Sequence, residues 1–317
     1  MLQSVNAFLQ RFMPYMAPLS LISGLIWGAP LAPYSWVIPW LFAVMTFSAG
    51  LSLDPQELKK LVTHPFFLLV NIFILHLVIP VGTWLLSSAI YSNSEIITGL
   101  VIISLTPIGS TSIVWVSIYK GNVSLALAVI VLDTLLVPFF LPFMLELLVG
   151  TGIEMDSLSI MTSLFWMILF PSLLAMLLNK ISHGRARQIL SPRLSVLSKI
   201  GIIALLAING GVASPYFHNP TWQLLGILIF IFCLCCSGYI INYWAGKVLF
   251  KRKQDIMAFM LCGGIRNVGA GAAIAILYFP PLTCLTVVVG MMFQQILGYN
   301  AGLIADKRLH EPIPVSH

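Results

Sequence analysis

Residues 255–277 read DIMAFMLCGGIRNVGAGAAIAIL. The stretch begins as an apolar helix and runs into Gly263, Gly264, Arg266 and Asn267. It passes Gly269 and Gly271 before turning apolar again. Glycine costs a helix about 1 kcal/mol against alanine, and a charge at the centre of a membrane helix costs at least about 2.5 kcal/mol. An anchor has no use for both in mid-span. A broken helix does, because its freed backbone groups and polar side chains can line a site within the bilayer. That pattern points to transport.

The rest of the chain fits a membrane setting. Of its 317 residues 59% are hydrophobic and 8% charged, against about 25% charged in a soluble domain. The apolar runs are long and do not alternate, which favours helices over a barrel. The five cysteines lie inside these runs without metal-ligand spacing and read as small buried apolar residues. The net charge of +6 reports topology once the charges are placed, and gives no sign of nucleic-acid binding.

Runs of about 20 apolar residues predict ten spans, near 12–29, 34–53, 65–90, 95–119, 121–147, 158–179, 196–214, 221–249, 255–278 and 282–304. The first lacks a small-x-small cleavage site after it and is kept as a helix. With both termini in the cytoplasm, 15 of the 16 basic residues fall on the cytoplasmic side and the outer loops hold none. This places the chain in the plasma (cell inner) membrane. The remaining basic residue is Arg266, and Asp133 is the one acid deep within a span.

Two halves follow, 1–150 and 151–317, with the basic connector KISHGRARQILSPRLSVLSK (180–199) inside the second. Five spans is an odd number, so the halves are inverted relative to each other. The fourth span of each is interrupted, at TPIGSTS (106–112) and at CGGIRNVGAG (262–271). Paired interruptions of this kind mark the central site of inverted-repeat transporters. The expected class is an all-α integral membrane protein with ten transmembrane helices in two inverted five-helix repeats, spans 4 and 9 broken.

Asp133 lies 12 residues beyond Gly121 and Arg266 lies 11 beyond Asp255. At about 1.5 Å per residue both sit near mid-membrane. Equal depth and opposite sign suggest a pair, either a structural lock or partners sharing an ionic ligand. Ser110, Thr111 and Ser112 stand at one interruption with helix amides behind them, suited to polar oxygens or to close helix approach. Asn267 opens the second half of span 9. Gln294 and Gln295 are further lining candidates, and His76, beside Pro80, is either a proton relay or a satisfied core histidine.

At these residues the sequence resembles the bile acid:sodium symporter family. The resemblance is clearest at VIPWLFAVMTFSAGLSLDPQELKKLVTHP (37–65), TPIGSTSIVWVSIYKGNVSLALAV (106–129) and the GGIRNVGAGAA run (263–273). It implies a panel of spans 1, 2, 6 and 7 facing a core whose spans 4 and 9 break and cross. It also implies secondary transport of organic anions driven by sodium. The family's sodium ligands carry over at Ser112 alone, which leaves no confident metal site. The asparagine expected next is Ile113, the hydroxyl positions of span 5 are Ala126 and Ile130, and the glutamate of span 9 is Cys262. Its glutamine there is Arg266, and a span 3 glutamine falls near Leu75. One serine cannot hold a hard cation, which needs several oxygens. The Arg266 guanidinium is therefore expected to fill the space of the lost sodium, with Asp133 as counter-charge. Coupling would then pass to protons through Asp133, a proton relay candidate with His76, or lapse.

The leading expectation is a secondary carrier of a small organic anion working by alternating access. Its partners are that anion, a proton or sodium, and membrane lipid, with no cofactor. A proton-linked exporter of a metabolite or oxyanion is the alternative. An intramembrane enzyme fits poorly, because the bilayer holds one aspartate and no H-E-x-x-H pattern occurs.

Overall fold

The structure is a computed structural model describing residues 2–51, 63–150, 152, 155–217, 222–291 and 293–309. Helices make up most of these residues, joined by short turns and extended segments. In chain order they form α1 (Leu2–Trp27), a 3-10 segment (Ala29–Val37), α2 (Ile38–Gly50), α3 (Pro65–Ile90), α4 (Ser94–Leu105), α5 (Ser112–Ile118) and α6 (Val123–Val149). Then come α7 (Ser157–Ile181), α8 (Arg185–Phe217), α9 (Trp222–Leu249), α10 (Lys253–Gly264), α11 (Val268–Tyr278), α12 (Pro281–Gly290) and α13 (Gln294–Arg308). Among the described residues six helical segments are long and apolar enough to cross a membrane, and α4, α11 and α12 are shorter apolar helices.

Local chemistry explains the ends. Asn93 caps α4 by accepting the Glu95 N–H at 2.8 Å. Asn122 caps α6 through the Leu125 N–H and donates to Asp255 at 2.8 Å, tying the start of α6 to that of α10. Asp156 caps α7, and its two bonds from Ser159 hold the carboxyl below the usual carboxylate range.

Helices α1, α2, α7 and α8 pack on one another. The α1–α8 contact is backbone-close: a Cβ on Gly24 would lie 2.3 Å from the Ala207 carbonyl oxygen, so small residues are required there. One apolar cluster joins these helices to α4, α11 and α12. A second joins α3, α5, α6, α10 and part of α9.

Three expectations need correction. Residues 185–199, read as connector, are already helical as the start of α8, and the turn before it is made by His183 and Gly184 at positive φ. The tenth apolar run is two helices, α12 and α13. Gly290 ends α12 against Ile103, where a Cβ would be 3.2 Å from that side chain. Cys262 and Cys284 are buried, but Cys233 is exposed and Cys235 and Cys236 are half-buried. An apolar thiol on a lipid-facing surface has no need of burial.

Candidate functional site

The two interruptions meet. Between α4 and α5 the chain is extended at Thr106, and between α10 and α11 at Ile265. Ile108 and Arg266 form an antiparallel bridge. The Gly109 N–H donates to the Ile265 carbonyl at 2.8 Å, and the Asn267 N–H to the Pro107 carbonyl at 2.6 Å. Each break thus supplies the hydrogen bonds that the other has lost, as unwound backbone at membrane depth requires. Glycines admit the neighbours: a Cβ on Gly264 would fall 2.2 Å from the Tyr239 ring, and one on Gly271 2.5 Å from the Thr106 methyl.

Arg266 is buried at this crossing. Its Nη1 donates to the Thr106 carbonyl and its Nη2 to the Leu75 carbonyl, both at 3.1 Å. The Leu75 acceptor has a specific origin. Residues Ile74–Val78 form a π turn within α3, in which the Ile79 N–H reaches back to the Ile74 carbonyl. The next donor along would be at Pro80, which has none. The Leu75 carbonyl is therefore left out of the helix ladder, and the guanidinium takes it.

Asp133, fully buried in α6, faces the same crossing from another side. One carboxylate oxygen bonds His76 Nε2 at 2.5 Å, and the other accepts the Ile108 N–H. His76 is 1% exposed, lies on the same π turn, and packs its ring 5.6 Å from that of Phe140. Arg266 and Asp133 face one another electrostatically at this crossing, and each also holds neighbouring groups. Arg266 holds residues 75 and 106, and Asp133 holds residues 76 and 108. The two charges reach the same two stretches of chain, Arg266 through two carbonyls and Asp133 through the His76 ring and the Ile108 amide.

The other candidates divide. Ser112 is buried at the start of α5, with the Cys262 thiol 3.9 Å from its hydroxyl. Ala126, Ile130 and Cys262 belong to one buried apolar cluster, so the oxygens that a hard cation needs are missing there. Ser110 and Thr111 are exposed at the break. Asn267 is half-buried at the start of α11, close to Gly269, whose added Cβ would meet Phe42 of α2 at 3.3 Å and Asn267 at 3.5 Å. Gln294 and Gln295 open α13, but their side chains lie outside the described residues.

Sequence reasoning missed the two carbonyls that hold Arg266. Pro80, five residues after Leu75, and Pro107 after Thr106 were the available signals. It also missed Asn209, fully buried in α8 with its amide nitrogen 3.8 Å from the Met291 sulfur. The polar residue beside Gly210 and Gly211 in an apolar run marked it. Among the described residues no group of acids, histidines and cysteines could hold a metal ion.

Residues 39–219 match the model of the "Sodium Bile acid symporter family". The chain belongs to that family. It is 36% identical over 296 residues to the Bacillus subtilis (strain 168) protein named "Uncharacterized protein YbaS", covering 93% of this chain and 97% of that one. It is 24% identical over 270 residues to "Uncharacterized sodium-dependent transporter YocS" of the same organism, covering 84% and 82%. It is also 23% identical over 274 residues to "Probable sodium/metabolite cotransporter BASS1, chloroplastic" of Oryza sativa subsp. japonica, covering 86% of this chain and 65% of that one. With its apolar helices, this sodium bile acid symporter family member is a multi-pass membrane protein of the transporter class.

Proposed function

We propose that this protein is a secondary carrier of a small organic anion, working by alternating access, in which Arg266 stands as a permanent cation where sodium-coupled relatives hold a diffusing one. The observation that carries this reading is the environment of the guanidinium. Two main-chain carbonyls, from residues 75 and 106, face it, and carbonyl oxygens are ligands that a hard cation would also take. The apolar surroundings of Ser112 support loss of the other sodium position.

The architecture behind the reading is ten spans in two inverted halves, 1–150 and 151–317, with both termini cytoplasmic in a cell inner membrane. Helices α1, α2, α7 and α8 form a panel, and the crossed breaks belong to the core that moves against it. The organic anion would bind at the crossing, with Asn267 lining it where Gly269 meets Phe42 of α2 and the exposed Ser110 and Thr111 as further lining candidates. Gln294 and Gln295 are kept as lining candidates. Coupling, on this reading, is to protons, because the buried His76–Asp133 contact adjoins the crossing.

The experiment is uptake by the purified protein in liposomes of radiolabelled mono-, di- and tricarboxylates, with sodium or choline at equal pH. Saturable, counterflow-stimulated uptake that is equal in the two salts is expected. A rise of more than about threefold with sodium, a difference of roughly 0.7 kcal/mol, would overturn the fixed-cation reading. A failure of counterflow with every anion would overturn the carrier itself.

A further inference from the structure

We infer that the coupling proton is bound at His76 and that Asp133 converts its binding into a movement of the crossing point. This rests on the carrier reading above and assigns its coupling site.

Three features support it. First, the contact is closed off: His76 Nε2 and Asp133 Oδ1 are 2.5 Å apart and each side chain is 1% exposed. Second, the carboxylate is divided between two tasks, since its other oxygen holds the Ile108 N–H at the centre of the bridge to Arg266. A displacement of the imidazole is therefore passed to the crossing by the Asp133 side chain, beside the neighbouring Leu75 carbonyl that Arg266 holds. Third, His76 Nδ1 is buried and has no hydrogen-bond partner among the described residues. With Nε2–H donated to the carboxylate, Nδ1 carries a bare lone pair. It is a buried proton acceptor one ring away from the Asp133 contact.

The charges sum to a working cycle. Neutral His76, the Asp133 carboxylate and the Arg266 guanidinium total zero. A proton on Nδ1 forms one N–H bond and breaks none inside the protein, and it raises the total to +1, matching one carried monoanion. The new Nδ1–H meets no acceptor in the arrangement described, and a buried donor without a partner is costly. The loaded state therefore favours a different placement of the ring, and with it of Asp133 and the Ile108 amide. That differential preference is what a coupling ligand needs in order to shift a conformational equilibrium. Facing Asp133 are His76 from α3, Arg266 from the crossing and the Cys262 thiol from α10; Phe140 of α6 covers the imidazole with an apolar ring.

The test uses the full chain in sodium-free liposomes with pyranine trapped inside, after counterflow has identified a transported carboxylate. A one-unit pH gradient should drive up to about tenfold accumulation of a monoanion per proton, with matching acidification of the lumen. His76→Gln keeps a donor for Asp133 but no site for an added proton. In it, counterflow exchange should slow yet persist while gradient-driven accumulation falls to equality. Accumulation that survives in His76→Gln overturns the assignment. So does wild-type uptake with no pyranine response, a result that needs no variant and leaves the carrier reading standing. Absence of counterflow with every anion overturns the carrier reading and this assignment together.

Discussion

Two of the long helices contain the same backbone device. In α3 the π turn Ile74–Val78 precedes Ile79 and Pro80, and in α7 the π turn Phe165–Leu169 precedes Phe170 and Pro171. The register is identical. Each closes with an N–H reaching five residues back, and each leaves the carbonyl of its second residue, Leu75 or Trp166, facing a proline without a donor. The contents differ. The α3 turn is ILHLV and brings His76 to Asp133 and the Leu75 carbonyl to Arg266. The α7 turn is FWMIL, has Met167 where α3 has His76, and packs on α2. A π turn is thus a way of aiming a carbonyl and a side chain. Whether it becomes part of a charged site depends on what the neighbouring helices present to it.

The largest expected effect comes from removing what α3 aims at. Asp133→Leu strands the His76 ring and the Ile108 N–H, and Arg266→Leu strands two buried carbonyls. Losing one member of a buried charged network costs about 3–5 kcal/mol. Both variants should lose detectable uptake and unfold at lower temperature in detergent, and wild-type behaviour from either would detach the charges from function. Pro80→Ala comes next. It returns an N–H that can compete with Arg266 for the Leu75 carbonyl, a bond worth about 1–2 kcal/mol, so uptake should fall roughly tenfold. Pro171→Ala makes the same change in α7 and should leave uptake within about twofold, a difference of roughly 0.4 kcal/mol. Equal effects of the two would erase the distinction between the turns. A smaller effect is expected of Met167→His: it copies the α3 side chain without an Asp133 opposite and should confer no response of uptake to a pH gradient. The smallest is Cys262→Ser. One added hydroxyl beside Ser112, among Ala126 and Ile130, supplies too few oxygens for sodium, so uptake in sodium and in choline should remain equal.

Much of this was legible along the chain. The apolar runs foretold the long helices, because burial in lipid leaves an uninterrupted signature of about 20 residues. Glycines and Pro107 announced the two breaks, and the isolation of Asp133 and Arg266 in apolar runs announced the site. Other features were not legible. A π turn adds a single residue to a helix, and the proline two residues beyond each one is its only local trace. The end of α12 is written only as Gly290 in a continuing apolar run, and the close approach of Ile103 to that glycine comes from a residue far away in sequence. The carbonyls of Leu75 and Thr106 on Arg266, and the His76 ring and Ile108 amide on Asp133, could not be read in order, since a buried charge takes whichever partners lie near it in space.

The sequence by itself determined that this is a chain of apolar membrane helices with two interrupted stretches and two isolated opposite charges within apolar runs. Hydrophobicity, glycine and proline act locally, and local properties can be read in order. Only the tertiary structure decided which groups those charges satisfy. The Leu75 and Thr106 carbonyls, the Ile108 amide and the His76 ring become partners because four helices converge on one crossing. The need for a buried polar group to be satisfied is met by whatever lies nearest in space.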